Sequence, residues 1–260
     1  MDPIKKFEKE IEENIEHLAS DEVLSKLSFE WMLRSGATGN YSYNFQWLGR
    51  PIIQYPQDLV AMQELVWKVK PELIIETGIA HGGSLIMNAS YLAILEYCEA
   101  IEKGTLIDPK KPKRKVLGID IDIRNHNRKA IESHPMSNRI DMIQGSSIDT
   151  DIIKKVRDYA LGFKRILVCL DSNHTHEHVL KELEAYAPLT SVESYCIVYD
   201  TAIESTPEAL CSDRQWGPGN SPKTTVWEYL KNHPEFEIDK SIQNKLQITV
   251  APDGYLRRVS

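Results

Sequence analysis

The chain has no run approaching the ~18 consecutive apolar residues that a membrane-spanning helix requires, so no membrane span is predicted. It also lacks an apolar stretch between Met1 and Glu16, where acids and lysines alternate, which argues against a conventional secretory signal and predicts a cytoplasmic protein. Cysteine is scarce: Cys98, Cys169, Cys196 and Cys211 are the four in 260 residues, with no C-x-x-C spacing. That excludes the usual thiolate zinc patterns, and Cys169 and Cys196, inside apolar runs, read as small core hydrophobes in a reducing compartment. An excess of positive charge is missing too. With 31 basic against 38 acidic residues the net charge is -7, which argues against a nucleic-acid partner. The one basic run, Pro109 to Lys115, directly precedes an apolar segment and reads as a solvated loop. There is no internal repeat and no low-complexity tract.

What is present fits one large domain with an N-terminal appendage. Ile4, Phe7, Ile11, Ile15 and Leu18 recur at helical spacing, so Ile4 to Lys26 is predicted as an amphipathic helix whose apolar stripe needs a partner. From Phe29 to Pro56 the aromatics Trp31, Tyr41, Tyr43, Phe45, Trp47 and Tyr55 crowd around Gly36, Gly39, Gly49 and Pro51. This composition suggests an ordered aromatic lid or interface. The division expected is residues 1–56 as helix and aromatic segment, and 57–260 as the main domain. The appendage points to a homo-oligomer.

A helix over Gln57 to Lys70 is followed by short apolar, largely β-branched runs: Leu73–Glu76, Val116–Asp120, Ile140–Gln144, Ile166–Leu170 and Tyr195–Asp200. Runs without alternation are those of buried parallel strands. Helical segments at Ser84–Glu102, His126–Ser133, Ile148–Ala160 and His176–Tyr186 separate them, which predicts a doubly wound α/β sheet. After a polar loop from Thr201 to Pro222, a helix over Lys223–Asn232 and two closing strands, Phe236–Ile238 and Leu246–Val250, bring the count to seven.

In an open parallel sheet ligands bind across the carboxyl ends of the strands. The first end reads Glu76-Thr77-Gly78-Ile79-Ala80-His81-Gly82-Gly83-Ser84, a strand, a glycine turn and a helix start. A pyrophosphate has no use for Glu76, and the spacing is not G-x-G-x-x-G, whereas a cationic, phosphate-free cofactor such as S-adenosylmethionine suits an acid there. Asp120, with Asp122 beside it, ends the second strand, where a carboxylate takes ribose hydroxyls. Gly78, Gly82 and Gly83 are expected to open the backbone to the ligand, and Ser84, Ser146, Ser147 and Asp171 complete the expected cofactor-binding set. Asp171 and Asp200 converge at the fourth and fifth strand ends, a repulsion that a hard cation, Mg²⁺, resolves. His174 follows in the loop as the general base, while His176 and His178 read as solvated helix residues.

These positions together resemble the class I S-adenosylmethionine-dependent methyltransferases, and more narrowly the family named for cephalosporin hydroxylase and rhamnosyl O-methyltransferase. The resemblance rests on Asn40 to Phe45 with Trp47-Leu48-Gly49-Arg50-Pro51, Glu76-Thr77-Gly78 with Gly82-Gly83-Ser84, Leu170 to Thr175, and Arg214 to Asn220. It implies a seven-stranded Rossmann-like sheet and Mg²⁺-assisted methyl transfer to a hydroxyl of a sugar or glycosylated natural product. It further implies Asp171 and Asp200 as metal ligands and His174 as the catalytic histidine, with Tyr43, Arg214 and Trp216 in a substrate lid. Tyr199-Asp200 departs from the Glu-Asp of antibiotic-pathway members, which leaves the third protein ligand open. The residues alone also allow an NAD oxidoreductase, an iron hydroxylase built on His174, Asp171 and His176, or a non-catalytic assembly subunit.

Overall fold

The computed structural model describes residues 2–260. The chain opens with α1 (Pro3–Ser20) and α2 (Glu22–Gly39), then a small hairpin, β1 (Phe45–Trp47) and β2 (Arg50–Ile52), and α3 (Pro56–Val69). The single N-terminal helix expected from the periodicity is two, because the Asp21 carboxylate accepts from Leu24 N at 2.9 Å and starts a second helix. That helix runs through Gly36 to Gly39, so part of the aromatic segment is helical. Its rings are used internally: Trp31 meets Tyr41 edge-on at 4.9 Å, and Tyr41 meets Phe45 at 5.1 Å and Tyr55 at 5.6 Å.

Strands and helices then alternate: β3 (Leu73–Thr77), α4 (Gly83–Lys103), β4 (Lys115–Asp120), α5 (Asn125–Glu132), β5 (Ile140–Gln144), α6 (Thr150–Ala160), β6 (Ile166–Leu170), α7 (His176–Tyr186) and β7 (Tyr195–Val198). α8 (Pro222–Tyr229), β8 (Phe236–Ile238), α9 (Lys240–Leu246) and β9 (Tyr255–Arg258) complete it. The seven-stranded sheet has the order β5-β4-β3-β6-β7-β9-β8. Its first five strands are parallel, and β9 runs antiparallel to both β7 and β8.

Alternate side chains of each strand serve opposite faces. Ile74, Val116, Leu167 and Ile197 join one core under α3 and α4, and Leu73, Ile75, Leu117 and Val168 join another under α6, α7 and α8. Burial on both faces is why these strands are uninterruptedly apolar. The switch in winding lies between β3 and β6, which places the ends of β3, β4, β6 and β7 around one cleft.

The tail differs from expectation. Leu246–Val250 is not a strand; α9 occupies its start, with Asp239 capping the helix at Ser241 N. Beyond it, Thr249 Oγ and Val250 N donate to the buried Asp58 carboxylate, to which Tyr255 Oη also donates at 2.9 Å. These donors are drawn out of any ladder, and pairing resumes only at Tyr255. No residue of α1 is buried, so its apolar stripe finds no full cover within the chain.

Candidate active site

The turn after β3 passes through left-handed backbone at Gly78, Ala80 and Gly82. A Cβ on Gly78 would overlap the Asp171 carbonyl, one on Gly82 the Ile131 side chain, and one on Gly83 the Pro51 carbonyl and Ile52. These glycines therefore let protein segments close on the turn, rather than only opening backbone to a ligand as the sequence suggested. Ser84 and Asn88, one helical turn apart on α4, donate to the two Glu76 carboxylate oxygens, Asn88 Nδ2 at 2.9 Å. Glu76 is 3% exposed, and burial pushes its pKa up to about 7 despite those hydrogen bonds. Asn88 was missed by sequence reasoning; its signal is the i, i+4 spacing from Ser84.

Asp120 Oδ2 accepts from Ile79 N at 2.8 Å and Ala80 N at 3.3 Å, and Oδ1 accepts from Asp122 N at 2.9 Å. It braces the turn while lining the cleft. That cleft, of about 290 Å³, is lined by Glu76, Gly78, Gly83, Ser84, Asp120, Asp171, His174 and Asp200, with Tyr43, Gln54 and Tyr199 among the others. Ser146 and Ser147 line an adjoining cavity with Gly78, Asp120 and His178. Asp122 does not join them: its side chain is 71% exposed and reaches only toward Arg124.

Asp171, His174 and Asp200 each bring a donor atom within 4.8 Å of the others. His174 Nε2 lies 3.2 Å from Asp200 Oδ2. Burial, followed by the negative charges of Asp200 and Glu76, holds the Asp171 carboxyl well above the usual carboxylate range. Asp200 adopts a left-handed conformation, φ 57°, costly for a non-glycine residue and so imposed by its surroundings. Trp216 packs edge-on against His174 with ring centroids 5.6 Å apart, and the Arg214 guanidinium lies over Trp216. Arg214 and Trp216 thus reach the cluster through the His174 ring. Tyr43 stands at the cleft, 61% exposed.

His176 and His178 are not the solvated residues expected. His176 Nδ1 is 2.7 Å from Thr224 Oγ and its Nε2 is 3.1 Å from Glu228, both on α8. His178 Nε2 sits 3.1 Å from Ser147 Oγ, near the buried Glu182. The packing of α7 against α8 and the β5 loop covers both. Neither belongs to the group that Asp171 and His174 form with Asp200, so no facial triad of His174, Asp171 and His176 forms among the described residues.

A seven-stranded sheet of this order, with an acid at the end of its first parallel strand facing a glycine turn and a cleft across the strand ends, defines a class I S-adenosylmethionine-dependent methyltransferase. The chain belongs to the Rhamnosyl O-methyltransferase/CmcI family, whose model matches residues 39–259. It is an S-adenosylmethionine-dependent O-methyltransferase. The rhamnosyl O-methyltransferase of Mycobacterium tuberculosis is 27% identical over 206 residues, 77% of this chain and 73% of that protein. The Mycobacterium leprae protein of the same name is 25% identical over 223 residues, 85% of this chain and 86% of its own length. Among solved structures, CmcI with Mg and SAM superposes with a TM-score of 0.55 at 20% identity, covering 88% of this chain and 84% of that one. A Bacillus cereus O-methyltransferase in complex with SAH gives 0.51 at 16% identity, covering 86% and 90%. These two share the fold.

Proposed function

We propose that this methyltransferase acts on a hydroxyl of a sugar, in a glycan or a glycosylated natural product, with Mg²⁺ held at Asp171 and Asp200. The observation that carries the reading is the convergence of Asp171, His174 and Asp200 at the mouth of the cofactor cleft. Two carboxylates face each other there, and the charges acting most strongly on Asp171 are all negative, a donor set suited to a hard divalent cation. The relatives named rhamnosyl O-methyltransferase support a sugar acceptor, and CmcI with Mg and SAM supports the metal. Tyr43, exposed at the cleft, offers a flat aromatic face of the kind that sugar rings stack on.

Bound S-adenosylmethionine supplies a methyl group on a sulfonium, and bound Mg²⁺ would lower the pKa of an acceptor hydroxyl. The chain's own residues do the rest. Glu76 receives the cofactor's ammonium, and Asp120, fixed by three backbone N–H groups, presents its remaining acceptor capacity to the ribose. His174, whose Nε2 lies 3.2 Å from Asp200 Oδ2, takes the acceptor proton, and the Asp200 carboxylate steadies the imidazolium that results. The segment from Thr201 to Pro222 covers the acceptor through Trp216. It is anchored by Glu204, which accepts from Gly219 N at 3.0 Å and from Ser221 Oγ at 2.6 Å.

The test is incubation with S-adenosylmethionine, Mg²⁺ and a panel of rhamnosides and other sugar hydroxyls, read by mass spectrometry. A mass gain of one methylene on a sugar, absent in Asp171→Ala although that variant still binds cofactor, is expected. Cofactor binding with no methylated hydroxyl in any sugar would overturn the acceptor reading.

A further inference from the structure

The hairpin of β1 and β2 forms a two-stranded sheet of its own, apart from the seven-stranded one. A hairpin this short is at best marginal alone, so what places it is what it touches. Trp47 Nε1 donates to Ser90 Oγ on α4 at 2.9 Å, and Leu48 O lies 3.0 Å from His134 Nε2, just past α5. Pro51 O packs so closely on Gly83 that a Cβ there would overlap it. The two-residue hairpin turn, with Leu48 and Gly49 both left-handed, pairs Trp47 with Arg50. It thereby delivers the Arg50 side chain to the glycine turn after β3.

Arg50 Nε donates to His81 O at 3.1 Å, and Nη2 donates both to that carbonyl and, at 3.1 Å, to Asn127 Oδ1. Asn127, on α5 and buried, donates in turn through Nδ2 to Ala80 O at 2.8 Å. Two successive carbonyls of the turn are thus taken up by side chains, and neither has a backbone partner among the described residues. This stretch needs holding. Ala80 is left-handed, φ 46°, a conformation costly for alanine and free for glycine. The bonds from Ile79 and Ala80 N–H to Asp120 are the turn's other tether. Ile79, Ala80 and His81 line the cleft, whereas Arg50 and Asn127 stand behind them and do not.

We propose that Arg50 and Asn127 are positioning residues for S-adenosylmethionine, acting through the His81 and Ala80 carbonyls to keep the turn in the strained shape that meets the cofactor. The guanidinium fork and the carboxamide make one chain of hydrogen bonds from the hairpin to α5 across the back of the turn. Without it Ala80 relaxes toward ordinary backbone and the turn shifts in the cleft. Cofactor binding then weakens although no residue of the cleft has changed. The proposal rests on the cofactor's place at the turn after β3, and it stands whether or not the acceptor is a sugar or a metal takes part.

Titration calorimetry of the full chain with S-adenosylmethionine tests it, circular dichroism melts showing that each variant is folded at the titration temperature. Arg50→Ala is expected to bind about tenfold more weakly, the worth of one hydrogen bond to a charged group. Asn127→Ala, which strands Ala80 O, is expected to weaken binding as well; should that buried site not tolerate alanine, Arg50→Ala decides. Adding Ala80→Gly to Arg50→Ala is expected to restore most of the loss, because glycine adopts the left-handed backbone unaided. A role confined to fold stability would lower the melt, leave the affinity alone and gain nothing from the glycine. Unchanged affinity in Arg50→Ala, or a loss that the glycine does not mend, would overturn the proposal. Glu76→Gln separates the failures: weakened binding there beside an unchanged Arg50→Ala would overturn the clamp and leave the cofactor's place standing, and two unchanged variants would overturn both.

Discussion

Replacing Glu76 by glutamine separates what this acid costs the fold from what it gives the site. The carboxyl is buried, and its pKa rises from 4.5 to about 7 in the folded chain. A carboxyl raised on folding holds its proton longer in the native state, so its contribution is fully present below pH 4.5 and is lost as pH climbs toward 7. The difference of about 2.5 units corresponds to about 3 kcal/mol lost by pH 8. Glutamine carries no charge and escapes this loss. Its amide cannot accept on both sides, however, so one of the donors Ser84 and Asn88 goes unmet, costing about 1 kcal/mol. Without cofactor, Glu76→Gln is therefore expected to be about 1 kcal/mol less stable than wild type at pH 5 and about 2 kcal/mol more stable at pH 8. In a chain of this size that gain is a rise in Tm of about 4–8 °C. Comparing the two proteins cancels the other titrating groups. The same variant should lose most of its cofactor affinity, since the ammonium has no anion to meet, and wild-type affinity should fall about tenfold from pH 8 to pH 6 as the carboxyl protonates. Differential scanning calorimetry across this range, with titration calorimetry of S-adenosylmethionine, reads both. A stability difference that does not change with pH would refute the assignment of an uncompensated buried carboxyl.

Further outcomes follow from the same geometry. His174→Ala should reduce turnover by about 10²- to 10⁴-fold with cofactor affinity unchanged; a rate within a fewfold of wild type would remove the base role. Removal of divalent cations with a chelator should abolish transfer and leave S-adenosylmethionine binding measurable by calorimetry. Gly78→Ala should fold poorly or not at all, because its Cβ would overlap the Asp171 carbonyl in a left-handed backbone; a melt close to wild type would contradict that packing. Trp216→Ala should raise KM for the acceptor more than it lowers kcat if the ring covers the acceptor, and equal effects on both would assign it to holding His174.

The parallel strands were legible because burial on both faces leaves an unmistakable record: Leu73 to Ile75 and Ile166 to Leu170 have no polar residue to confuse them. The strand-end acids followed from that, since each is simply the first polar residue after a buried run. Leu246 to Val250 misled for the opposite reason. Its residues favour a strand locally, but Asp58, far away in the chain, claims Thr249 and Val250 as donors, and no local pattern reports such a demand. His176 and His178 were misjudged alike, because what covers them is α8 and the β5 loop. Asp122, two residues past the cleft residue Asp120, lies beyond the end of β4, where its side chain is exposed and reaches only toward Arg124. Tyr199 and Gln54 entered the cleft from burial and a hairpin that sequence spacing did not foretell.

The Asp58 carboxylate has a bearing on when the molecule comes into being. Its partners Thr249, Val250 and Tyr255 lie 191, 192 and 197 positions further along the chain, and Val250 also lines the cleft. During synthesis, α3 and the early strands leave the ribosome long before their polar partners exist, with a carboxylate facing a gap in the nascent core. The half-made protein can collapse around β3, β4 and β6, yet its cleft stays unfinished until that distant segment arrives. Through Asp58 and Val250 the wall of the cleft is thus tied to one of the last segments of the chain to be made.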